Sequence, residues 1–269
     1  MRHKGSGFTL IELLVVISII ALLLAIMMPA LGMVKEKAKS LVCRTNLKTL
    51  GLASRLYAEE HNGKMPEQYY YNDAGNFAGY RVWVRQLAPY AAEVDEARYC
   101  PSAKVKPKPS DVDLQGAVTG NSRKSWMFKY GDTLDDCEYG CYGLNGWFYS
   151  DKEGPNYYKK LGSVKQASSV PLYADAKFVD AWPDDDHYVP EDYDLGGDFW
   201  DPYGDTTGNM IRFIMDRHGK RTNLVFADGH AESVALSEMW SLRWHKNFDT
   251  QHDVKRGENH DGSPIYQKR

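Results

Sequence analysis

Residues 13–34 (LLVVISIIALLLAIMMPALGMV) contain no charged side chain. Coiled into a helix that rises about 1.5 Å per residue, they span about 33 Å, enough to cross a hydrocarbon core of about 30 Å. The run therefore reads as a membrane anchor. A secretory signal peptide is the rival reading, with Ala30-Leu31-Gly32 as its cleavage site, but its apolar region usually runs only about 7–15 residues. The rest of the 269-residue chain must face water, because the mean hydropathy is negative despite this segment. That length accommodates an anchor and one good-sized core.

Flanking charge does not orient the anchor. Arg2 and Lys4 precede it, Lys35, Lys37 and Lys39 follow it, and neither side dominates. The residues just before it are more specific. Gly7 lets the backbone lie extended in a protease cleft. Glu12 places an ionisable group at the edge of an apolar span, where deep burial would cost about 2.5–3.5 kcal/mol, so a functional role is the default reading. Pro29 removes one helical hydrogen bond inside the span and bends or loosens it.

Gly7-Phe8-Thr9-Leu10-Ile11-Glu12 resembles the processing site of type IV prepilins and type II secretion pseudopilins. The resemblance implies that the prepilin peptidase removes a cytoplasmic leader, residues 1–7, and that Phe8 becomes a methylated N-terminus. It implies that Glu12 meets the N-terminal amine of a neighbouring subunit during assembly. Pro29, the twenty-second residue counted from Phe8, stands where pilins commonly carry a proline. The implied partners are the peptidase, an inner-membrane assembly platform and other pilin-like subunits bound through the N-terminal helix.

Apolar residues continue at helical spacing through Leu31, Val34, Ala38, Leu41, Thr45, Leu52 and Leu56. The spacing predicts one helix from Thr9 to Glu60, stopped by His61-Asn62-Gly63 with Pro66 beyond. The expected organisation is a leader (1–7), a transmembrane half-helix (8–34), an amphipathic half-helix (35–62), a globular α+β body (63–255) and a polar tail (256–269). The resemblance implies the pilin-like fold, in which the long helix packs on a C-terminal antiparallel sheet, and a single pass through a bacterial inner membrane with the body in the periplasm or on the cell surface.

Four cysteines follow the anchor, as suits an exported body. Cys43 with Cys100 and Cys137 with Cys141 are the expected disulfides, the second pair because it is close in sequence; buried thiols are the alternative. Short strands are expected at Leu172–Asp175 and Thr222–Phe226, a helix over Trp83–Tyr90, and a surface loop at Lys104–Pro109. Asp228-Gly229 reads as the turn of a hairpin that returns over His230–Ala235, and Ser237 as the cap of a helix through Trp244. His218 precedes Asp228-Gly229 by nine intervening residues. With Cys43 to Ala53 and Tyr99-Cys100-Pro101, this pattern resembles a prepilin-type subfamily recognised by a histidine, nine residues and Asp-Gly. His218 and Asp228 alone are too few ligands for a metal, so turn architecture is the expected role.

Residues 184–205 hold nine carboxylates and no Lys or Arg. Asp194, Asp198, Asp201 and Asp205 are candidate Ca2+ ligands, because carboxylates among glycines suit a hard cation with six to eight oxygen ligands; a hydrated or partner-binding loop is the alternative. A net charge of −3 gives no reason to expect a nucleic-acid partner. No nucleophile-elbow, phosphate-loop or zinc-protease motif occurs, so an enzyme is not expected. The resemblance implies a subunit of a type IV pilus or a type II secretion pseudopilus. The alternatives are an exported soluble enzyme or binding protein, or a membrane-tethered carbohydrate- or protein-binding module that uses the pilin N-terminus only as an anchor.

Overall fold

The computed structural model describes residues 8–71, 77–90, 94–111, 117–129, 137–185 and 208–251. An uninterrupted helix, α1 (Leu10–Glu60), fills the first part of the chain and passes through Pro29. Its start is a reciprocal cap: the Glu12 backbone N–H donates to Thr9 Oγ1 at 3.2 Å, and Glu12 Oε2 accepts from the Thr9 N–H at 2.8 Å. Its end is a left-handed pair, Asn62 (φ 55°) and Gly63 (φ 85°), with the Gly63 N–H returned to the Ala58 carbonyl at 2.6 Å.

The chain divides into two units, residues 1–38 and 39–269. In the first unit every large apolar side chain from Leu10 to Val34 is exposed. Among the described residues, α1 is the one helix long and apolar enough to cross a membrane.

The second unit is α+β. A ribbon of β1 (Tyr69–Tyr71) and β2 (Phe77–Tyr80) leads to two short helices, α2 (Trp83–Leu87) and α3 (Val94–Ala97). A three-stranded antiparallel sheet follows, made of β3 (Ala117–Val118), β4 (Trp126–Lys129) and β5 (Cys137–Gly140). The central sheet contains β6 (Tyr142–Asn145), β7 (Pro171–Asp175), β8 (Asp180–Ala181), β9 (Arg221–Phe226) and β10 (Ala231–Ala235), in the order β10-β9-β7-β6-β8. This sheet departs from the expected antiparallel one at its edge, where β6 and β8 run parallel.

Alternation along β7 and β9 gives the sheet two buried faces. Tyr173 and Val225 join the core that contains Cys43, Leu47 and Leu50 of α1. Ala174, Leu224 and Phe226 join a second core with Phe213, Trp240 and Trp244. The helix approaches closely: a Cβ on Gly51 would lie 2.9 Å from Val225 Cγ2, and Ser54 Oγ sits 2.9 Å from the Tyr173 hydroxyl.

The buried stripe of α1 is Cys43, Leu47, Leu50, Gly51, Ala53, Ser54, Tyr57 and Ala58. This corrects the face expected from apolar spacing, because Leu41, Leu52 and Leu56 are 57%, 57% and 39% exposed. Beside Leu47, Leu50 and Tyr57 the stripe carries the small residues Cys43, Gly51, Ala53, Ser54 and Ala58, which allow close docking and which a search for large apolar residues passes over. The helix expected over Ser237–Trp244 is instead a 3₁₀ segment, Leu236–Ser241.

Candidate functional site

Two constellations stand out, one at the N-terminus and one inside the body. At the N-terminus Gly7 lies outside the described residues, and Phe8 is exposed. Glu12 is exposed and bound to Thr9 through both the Thr9 N–H and its hydroxyl, each at 2.8 Å. The sequence carries a signal for this capping role of Thr9, since Thr-x-x-Glu before an apolar run is a capping signature.

The second constellation gathers four distant residues. Cys43 lies on the buried stripe of α1. Cys100 follows α3 on a turn pinned by Asn46, whose side chain donates to the Tyr99 carbonyl at 2.8 Å, and by the Cys141 N–H on the Arg98 carbonyl at 2.9 Å. Asp175 ends β7 on the face toward α1, and His218 precedes β9. Cys43 Sγ lies 3.4 Å from Asp175 Oδ1, His218 Nε2 lies 3.3 Å from Asp175 Oδ2, and Cys100 Sγ lies 3.4 Å from the same Nε2. One donor atom from each of the four falls within 4.8 Å of the others.

The surroundings hold Asp175 in place. Arg217 donates from Nη1 to Asp175 Oδ1 at 3.1 Å and to the Cys141 carbonyl at 2.9 Å, and from Nη2 to the Asn121 carbonyl at 2.9 Å. The Asn223 N–H donates to Asp175 Oδ2 at 3.1 Å. Burial raises the Cys43 thiol well above its ordinary value. Burial also opposes ionisation of Cys100, but hydrogen bonding to Cys43 and His218 and the charge of Arg217 overcome it and bring that thiol down to about 5. Burial disfavours the His218 cation, yet the carboxylate of Asp175 carries that imidazole up to about 10.

All four cysteines are free thiols, so neither expected disulfide is formed. Cys43 and Cys100 are neighbours. Cys137 and Cys141 are not, because the extended chain of β5 puts about 10 Å or more between them, beyond the reach of about 7 Å that a bridge allows. His218 does not pair with Asp228; β9 separates them by about 20 Å. Asp228 Oδ1 instead accepts the His230 N–H at 3.0 Å, and Gly229 (φ 92°) closes the hairpin turn. Turn architecture thus describes Asp228-Gly229 but not His218.

The candidate calcium ligands Asp194, Asp198, Asp201 and Asp205 lie outside the described residues. Of the acidic stretch, Asp184 and Asp185 are described, and they meet His245 Nε2 at 3.1 and 3.9 Å. Elsewhere a cleft in the body is lined by Tyr69, Tyr80, Tyr149 and Trp182, with Asp180 and Arg212.

Residues 2–28 match the family model of the prokaryotic N-terminal methylation motif. No curated protein and no solved structure gives a significant match to the chain. The match covers the residues before the apolar run and much of that run, and it leaves the body outside. The chain therefore carries a prepilin-type N-terminal methylation motif on a long apolar helix.

Proposed function

We propose that the chain is a structural, non-catalytic pilin-like subunit. The prepilin peptidase cuts it after Gly7 and Phe8 is methylated. The subunit waits in the inner membrane with its body outside the cytoplasm, and then packs with other pilin-like subunits into a pilus or secretion pseudopilus on an assembly platform. The observation that carries this reading is the methylation motif at residues 2–28, continued by one unbroken helix whose large apolar side chains from Leu10 to Val34 are exposed. Leu41, Leu52 and Leu56 extend an apolar stripe on the side of α1 opposite its buried face, as helix-to-helix packing between subunits would use.

Two variants separate processing from assembly. Gly7→Ala leaves the chain at precursor size in a cell fractionation followed by immunoblot. Glu12→Gln keeps an acceptor oxygen for the Thr9 N–H while removing the charge, so it is cleaved normally but enters sheared filaments at a small fraction of the normal level. Normal incorporation of Glu12→Gln would remove the assembly role. The second reading, a tethered binding module, draws on the aromatic cleft between Tyr69 and Trp182. It requires ligand binding by the body with no polymerisation.

A further inference from the structure

The cluster around His218 has no part in processing or helix packing, yet it brings together four donor side chains from positions far apart in the sequence. Its geometry can be compared with two chemistries. A nucleophilic triad needs the cysteine and the carboxylate on opposite nitrogens of the imidazole. Here Cys100 and Asp175 both face Nε2, at 3.4 and 3.3 Å, so the histidine cannot relay between them. The four side chains are also at most 1% exposed, which leaves no path for a substrate.

A tetrahedral metal fits instead. Zinc bonds of about 2.3 Å to sulfur and about 2.0–2.2 Å to nitrogen or oxygen imply donor-to-donor edges of about 3.3–3.8 Å. With Asp175 Oδ2 as the oxygen donor, the edges Cys43–Asp175, His218–Asp175 and Cys100–His218 measure 3.5, 3.3 and 3.4 Å, and one donor atom from each of the four residues lies within 4.8 Å of the others. Two thiolates and a carboxylate, set against the one guanidinium of Arg217, leave two negative charges that a divalent cation neutralises in this dry interior. Arg217 and the Asn223 N–H already orient the carboxylate, as supporting partners do in metal sites. Two sulfurs, an imidazole and a carboxylate favour zinc over calcium or magnesium.

We propose that Cys43 Sγ, Cys100 Sγ, His218 Nε2 and an Asp175 carboxylate oxygen form a closed, four-coordinate structural zinc site. The ion ties the body half of α1 to the end of β7 and to the loop before β9. It also gives His218 a role distinct from that of the Asp228-Gly229 turn. With four protein ligands no position stays open for water, so the site holds structure and does no catalysis.

The full-length chain, purified in detergent, reduced, supplied with zinc and dialysed, will hold one zinc per chain by elemental mass spectrometry. Replacement by cobalt will give the intense visible bands of a tetrahedral ion and a sulfur-to-metal charge-transfer band. Cys100→Ser and His218→Gln will each lose bound zinc, whereas Cys137→Ser will keep it. The cobalt spectrum of the unaltered chain reads the ligand set even if a variant misfolds. Absence of zinc from the reduced, supplied chain overturns the site, as does a cobalt spectrum without sulfur charge transfer. A Cys43–Cys100 disulfide whose reduction restores no zinc uptake also overturns it.

Discussion

Gly51→Ala tests how closely α1 docks on the sheet. A helical glycine replaced by alanine gains about 0.5–1 kcal/mol of backbone preference. The new methyl, however, would stand 2.9 Å from Val225 Cγ2, well inside the optimal separation of about 3.5–4.0 Å between carbons. Valine has little rotamer freedom with which to yield, so helix or strand must shift, at a cost of about 1–3 kcal/mol for overpacking. The net effect is a loss of up to about 2 kcal/mol. Val225→Ala alone removes two methyl groups, about 1.6 kcal/mol of transfer energy, and leaves a cavity, for a total of about 2–3 kcal/mol. In the double variant the methyl at position 51 enters the space that Cγ2 vacated. The pair should therefore cost less than the sum of the single changes by about 1–2 kcal/mol. Urea unfolding in detergent, followed by emission of the buried Trp83, Trp126 and Trp244, measures all three. Additivity within about 0.5 kcal/mol would refute the docking contact.

Two further predictions concern the body and use the same unfolding assay. Asn145 is fully buried and donates to the carbonyls of Pro171 and Trp244, both at 2.8 Å, so Asn145→Ala strands two acceptors and costs about 2–4 kcal/mol; a loss below about 1 kcal/mol would contradict that role. Asp180 is buried, and burial outweighs Arg212 and Tyr149 to raise its carboxyl above the ordinary range. A raised folded value means stability that is present at low pH and lost as the pH climbs through that value. Asp180→Asn keeps an acceptor for the Tyr149 hydroxyl and avoids the loss, so its advantage over the unaltered chain should grow from pH 4 to pH 7; an advantage that shrinks over this range would refute the sign.

The apolar run, the stop at Asn62-Gly63 and the hairpin around Asp228-Gly229 were legible because each is a local signal carried by adjacent residues. The strands at Leu172–Asp175 and Thr222–Phe226 were visible for the same reason. The docking face of α1 was not, since apolar spacing followed Leu31, Val34 and Leu41 onto the exposed stripe. The buried stripe relies on Cys43, Gly51 and Ser54, whose value lies in being small. The four donors around His218 were illegible as a set because they come from a helix, a turn, a strand end and a loop, and no spacing rule links them. The spacing of His218 to Asp228-Gly229 points to turn architecture, whereas the carboxylate that His218 meets is Asp175, at the end of an apolar strand.

How the chain is processed and placed can be read from the mass and N-terminal sequence of the mature protein recovered from membranes. A chain that begins at Phe8 and carries one added methyl group is expected. A chain that begins near residue 33 and is released from the membrane would rule out prepilin-type processing.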